Sequence, residues 1–186
     1  MKAKLLIMLL MSTSVLAQLP QKGDWLVGTD VASLNIPVLN QGIRRVSSAD
    51  VALIGGKFMT KQLVIGTALP IEWQSIPVSQ PYQRATTLAY GLVPFARFYL
   101  TNSRVRPYLS VGAGYLFTRY TGERKTSHNG VTYSGNVGLA YFFNRHVSLD
   151  AVADFTSQPY QAQNTFAEEN DNQLNFHLRF QVILGK

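Results

Sequence analysis

Several groups of residues in this chain have the types and spacing to do chemistry. Asp150 and Asp154 are four apart. On an extended strand that spacing puts both carboxylates on one face, ~13 Å apart at ~3.3 Å per residue. A paired-carboxylate hydrolase holds its carboxyls about 5 to 9.5 Å apart, so this pair does not fit that reaction. Ser127 and His128, with Glu123 nearby, have the types of a nucleophile and its base. Adjacent strand residues point to opposite faces, however, and no oxyanion-donor motif accompanies them. His128, His146 and His177 lie in different regions, so a zinc site with three ligands is not expected. Cysteine is absent, which excludes thiol nucleophiles, disulfides and Cys-based metal sites. What remains is charge. Arg44, Arg45, Arg119, Arg124 and Lys125 have the chemistry to hold phosphate oxygens. Asp30, Arg97, Asp150, Asp154, His177 and Arg179 have the chemistry of a paired polar network.

Alternation shows what must position these groups. From Asn172 to Leu184, every second residue is apolar: Leu174, Phe176, Leu178, Phe180, Val182 and Leu184. The residues between are Gln173, Asn175, His177, Arg179, Gln181 and Ile183, polar except for the isoleucine. A period of two marks a β-strand whose faces meet different surroundings. Charges in mid-strand opposite an unbroken apolar face fit a strand with lipid on one side and a polar lumen on the other.

Seven more such strands precede it: Asp24–Leu34, Ser48–Phe58, Gln62–Leu69, Thr86–Leu100, Pro107–Tyr120, Val131–Phe143 and Val147–Thr156. The connections at Thr60-Lys61, Thr101–Arg106 and Asn144–His146 are short. Those at Ile36–Ser47, Pro70–Arg84, Gly122–Gly130 and Ser157–Asp171 read as long loops. Short and long connections therefore alternate, which sorts the long loops to one side, as in outer-membrane barrels. The small residues Gly112, Gly114, Gly138 and Ala140 share the polar register. Crowding at the axis of an eight-stranded barrel favours small residues, so that register goes inward and the bulky one outward. The opposite assignment, a lipocalin-like soluble binder, would crowd the bulky aromatics into one pocket. Aromatic residues cluster toward both strand ends: Trp25, Phe98, Tyr141 and Phe143 near short turns, Phe117, Tyr133 and Phe155 near long loops.

The first residues address the compartment. Lys2 and Lys4, the apolar run Leu5–Leu10 and Val15-Leu16-Ala17 have the build of a secretory signal, with cleavage expected after Ala17. Residues 1–17 are thus expected to be signal peptide and 18–186 one barrel domain. Loss of Lys2 and Lys4 takes 17 basic residues to 15 against 10 acidic, a net of +5. The basic residues are scattered in runs no longer than two, so nucleic acid is not an expected partner. Charged residues make up only 15% of the chain, below the usual share of about 25% in soluble domains.

The chain resembles the small outer-membrane β-barrel superfamily, the type of the OmpX and OmpA transmembrane domains. The matching pieces are K-G-D-W-L-V-G at the start, G-L-V-P-F-A-R-F-Y-L at Gly91–Leu100, P-Y-L-S-V-G-A-G-Y at Pro107–Tyr115 and V-G-L-A-Y-F-F-N at Val137–Asn144. The resemblance implies an all-β, eight-stranded antiparallel up-and-down transmembrane barrel in the outer membrane of a Gram-negative bacterium. It implies periplasmic termini, a monomer and no cofactor. It also implies contact with the β-barrel assembly machinery, with outer-membrane lipid and lipopolysaccharide, and with extracellular ligands through four loops. Such barrels usually end in an aromatic residue; this chain ends V-I-L-G-K, with Phe180 its last aromatic. Some members modify lipid A at the outer rim, which makes a lipid-modifying enzyme the alternative, with Ser127 and His128 as its candidates. A soluble ligand binder is the second alternative and a conducting pore the third.

Overall fold

The chain is described by a computed structural model covering residues 19–37, 47–77, 84–121, 126–161 and 168–185. The expected signal peptide at 1–17 lies outside the described residues. Eight strands make up the fold: β1 Trp25–Pro37, β2 Ser47–Phe58, β3 Leu63–Pro77, β4 Arg84–Tyr99, β5 Val105–Thr121, β6 Thr126–Phe142, β7 Val147–Gln161 and β8 Glu168–Leu184. Each pairs antiparallel with the next, and β8 pairs with β1, so the sheet closes into a barrel. The β1–β2 ladder is the short one, from Trp25↔Lys57 to Thr29↔Leu53. Closure lets strands satisfy one another's backbone groups, the condition for crossing lipid with β-structure.

The strand count and order match the alternation. The strands run further than it indicates, mostly at the long-connection end, while β5 also starts earlier, at Val105 in a short connection. Residues 70–77, 126–130, 157–161 and 168–171 read as loop yet belong to strands. Apolar alternation is imposed by lipid, so it fades where a strand leaves the membrane while the ladder continues. Pro70 fits because the β3–β4 ladder is interrupted between Ala68↔Val93 and Ile71↔Tyr90. Pro94 sits in a gap of the ladder: β4–β5 pairing stops at Leu92↔Tyr115 and resumes at Phe95↔Gly112 in the same register. A bulge lies in β1, between Asp30 and Ala32. It puts Leu34 opposite Phe176 and Ile36 opposite Leu174, which explains why β1 alternates weakly in the sequence.

The faces fall as the crowding argument requires. Leu109, Val111, Tyr133, Val137, Leu178 and Phe180 are exposed on the outer surface, Val111 at 66%. Val105 to Phe117 on β5 spans ~30 Å along the membrane normal, at ~3.3 Å per residue and a tilt of ~40°. A soluble pocket-forming barrel would bury this face, so that alternative fails. Both aromatic groups, Trp25, Phe98, Tyr141 and Phe143 at one end and Phe117, Tyr133 and Phe155 at the other, are exposed. Inside, glycine makes room at the axis: a Cβ on Gly138 would collide with the Tyr108 ring.

Candidate functional site

The interior has two unlike halves. Toward the short turns, alternate positions of seven strands deliver a closely packed floor: Leu26, Phe58, Val64, Tyr99, Tyr108, Ala140, Phe142 and Ile183. Their rings interlock, with Tyr99 stacked on Phe58 at 6.0 Å and edge-on to Tyr108 at 5.4 Å and Phe142 at 6.1 Å. Two arginines are built into this floor. Arg106 is fully buried, with its guanidinium carbon 4.9 Å from the Phe142 ring. It donates to the carbonyls of Ser103 at 3.1 Å and Lys61 at 3.2 Å, tying two turns across the opening.

Arg97 sits above it, 1% exposed, with its guanidinium carbon 4.4 Å from the Tyr108 ring. From β4 it reaches the opposite wall, donating to Gln181 Oε1 on β8 at 3.2 Å and lying 3.6 Å from Asp150 Oδ2 on β7. Asp150 is fully buried and accepts from Gln181 Nε2 at 2.6 Å and Ser148 Oγ at 3.0 Å. A buried ion pair is costly unless its remaining hydrogen-bonding capacity is met; Gln181 and Ser148 supply that for the carboxylate, while Arg97 Nε has no hydrogen-bond partner. Arg97 thus bridges facing walls of the lumen.

Toward the long connections the interior mixes buried apolar side chains, Val93, Leu116 and Val152, with polar groups, of which Arg179 is buried and Asp30, His177 and Asp154 are partly buried. Arg179 lies between Asp150 and Asp30 in the ladder rows and donates to Asp30 Oδ1 at 2.7 Å. His177 Nδ1 is 3.9 Å from Asp30 Oδ2. Asp154 stands apart, accepting from Asn136 Nδ2 at 3.2 Å and Thr156 Oγ1 at 2.7 Å. The six expected lumen residues therefore all face inward but form three groups: Arg97 with Asp150, Asp30 with Arg179 and His177, and Asp154 with neutral partners.

Alternation alone puts Tyr99, Tyr108 and Phe142 in the Arg97, Ser110 and Ala140 registers. It hides their role, because an apolar residue in a polar register looks like noise until the end of the barrel is closed by it. Arg106 reads as a turn residue in the sequence and is a floor residue in the structure. Gln181, which reads as a tolerant lumen position, is fully buried between Arg97 and Asp150.

Among the rim residues, Arg119 is exposed on β5 opposite Ser127 on β6. Arg44, Arg45, Arg124, Lys125 and Glu123 lie outside the described residues. Ser127 and His128 lie in β6 rather than in a loop; Ser127 is exposed, while the half-buried His128 ring is 5.7 Å from Tyr120. His146 belongs to the β6–β7 turn, within 3.0 Å of the Ile183 carbonyl. The described residues contain no group of three His, Asp or Glu able to hold a metal ion.

The sequence matches the family described as outer membrane protein beta-barrel domain over residues 4–181. The chain belongs to this family. Outer-membrane barrels of this family sit in the outer membrane of Gram-negative bacteria, as the apolar outer face of this one requires. No curated protein matches the chain by sequence. Solved structures match it in fold. Neisserial surface protein A has 14% identity and a TM-score of 0.52, the match covering 88% of this chain and 99% of that one. OprG from Pseudomonas aeruginosa has 13% identity and a TM-score of 0.51, covering 91% and 99%. The attachment invasion locus protein Ail of Yersinia pestis, in complex with the heparin analogue sucrose octasulfate, has 11% identity and a TM-score of 0.53, covering 88% and 99%. At these identities the likeness concerns the barrel alone.

Proposed function

We propose that this outer-membrane barrel works at its long-connection end, as a surface-interaction and structural protein rather than as a wide pore or an enzyme. The observation that carries this reading is the Arg97 bridge from β4 to Gln181 on the opposite wall, above a floor of interlocked aromatic rings. With the short-turn end filled, solutes have no axial route, and the four long connections are the part left to meet partners. The termini and short turns then lie in the periplasm. The chain is a monomer that the barrel assembly machinery inserts. Arg44, Arg45, Arg119, Arg124 and Lys125 contact phosphates of lipopolysaccharide at the outer rim. The opposite orientation of Ser127 and His128 on one strand supports binding over acyl transfer.

Urea unfolding in vesicles with and without lipopolysaccharide tests this reading. Lipopolysaccharide should raise the midpoint for the intact chain, and replacing the five basic residues with Gln should remove the increment. An equal midpoint with and without lipopolysaccharide would contradict the rim assignment. Discrete conductance steps in a planar bilayer would overturn the closed lumen, and a changed lipid A profile on Ser127→Ala or His128→Ala would overturn the non-enzymatic reading.

A further inference from the structure

The short-turn rim carries a charge that the barrel reading leaves unused. Lys22 precedes β1, Lys57 lies near the end of β2, and Lys61, Arg104 and Arg145 sit in the three short turns. Lys22, Lys57 and Lys61 are exposed. Apart from Asp150, buried in the lumen, the acidic residue at this end among the described residues is Asp24, and its Oδ2 accepts from the Gln21 amide at 2.8 Å. The other end is more balanced by sequence: Arg44, Arg45, Arg84, Arg119, Arg124 and Lys125 are offset by Glu123, Glu168, Glu169 and Asp171.

Depth and distribution identify what this charge meets. The basic residues lie just beyond the aromatic group Trp25, Phe98, Tyr141 and Phe143, whose exposed rings mark the membrane–water boundary. The Lys57 ammonium is 5.3 Å from the centroid of the Trp25 ring. A lysine that runs its stem along apolar surface and ends beside an interfacial tryptophan holds its charge at the depth of lipid phosphates. The basic positions occur at every short turn, so they surround the barrel instead of forming one patch. A docking protein covers one side, whereas a leaflet surrounds the whole circumference.

We propose that the short-turn rim binds the headgroups of anionic phospholipids in the leaflet it faces, and so gathers them around the barrel. This rests on the membrane-spanning reading, and the test separates the two. The chain has 2 tryptophans, Trp25 at this rim and Trp73 toward the other. Trp73→Phe leaves Trp25 as the sole fluorophore. The barrel is refolded into phosphatidylcholine vesicles containing an equal fraction of either dibrominated phosphatidylglycerol or dibrominated phosphatidylcholine. Trp25 should be quenched preferentially by the phosphatidylglycerol, with a relative binding constant about fivefold higher, the factor one basic residue contributes near an anionic surface. Lys22→Gln, Lys57→Gln and Lys61→Gln together should abolish the preference, and 1 M salt should abolish it in the unaltered rim. In Trp25→Phe, quenching of Trp73 should be unaffected by the three lysine changes, which lie at the opposite rim. Equal quenching of Trp25 by both lipids, or a preference that survives the lysine changes and salt, would overturn the proposal. Quenching of neither tryptophan would overturn the membrane reading itself.

Discussion

The two halves of the lumen are made from the same alternating strands, yet they are different materials. The short-turn half is a packed core in which two arginines lie among aromatic rings, and Arg97 and Asp150 are 1% and 0% exposed. The long-connection half has no such cluster of rings and carries polar groups beside buried Val93, Leu116 and Val152: Asp30 faces the buried Arg179 and His177, and Asp154 is served by Asn136 and Thr156. The difference shows how a narrow barrel divides its labour. One end is closed by packed rings, and the other carries its charged groups nearer the long connections. An ion pair is most costly to break where desolvation is complete, because the partner left behind is an uncompensated buried charge.

That contrast can be broken by substitution, and the floor should respond most. Asp150→Ala leaves Arg97 buried without its carboxylate and should destabilise the barrel by about 3–5 kcal/mol, read by urea unfolding in vesicles. A loss below about 1 kcal/mol would show the floor to be no tighter than the upper lumen. Gly138→Ala drives a methyl group into the Tyr108 ring, itself packed 4.4 Å from the Arg97 guanidinium, and should cost about 1–3 kcal/mol. Asp154→Asn in the upper half keeps hydrogen-bonding partners and removes no opposite charge. It should cost less than about 1 kcal/mol by the same measurement. A larger loss there than at Gly138 would reverse the comparison.

Much of the fold is legible in the sequence because lipid imposes a period of two on every strand that crosses it. Strand number, closure, the inward register and both aromatic groups all follow from Leu174–Leu184 and its counterparts. The strand ends were not legible, since residues such as Ser127 and His128 sit where no apolar surroundings enforce alternation. The bulge between Asp30 and Ala32 was visible only as weak alternation in β1. The site was half legible. Parity sends Asp30, Arg97, Asp150, Asp154, His177 and Arg179 inward, but it does not say which of them meet. The Arg97–Gln181 bridge joins residues 84 apart in sequence, and its reach across the lumen depends on which strands face each other once the barrel closes.

The account depends above all on the outward placement of the apolar register, and gel mobility of the membrane fraction tests that most directly. Unheated protein should remain with the membranes and migrate differently from the boiled sample, because a closed barrel resists detergent until heated. Leu178→Arg, which puts a charge on the lipid face at a cost of ~2–4 kcal/mol near the midplane, should abolish that band. A soluble protein giving one band before and after boiling, or a Leu178→Arg chain that inserts as well as the unaltered one, would contradict the account.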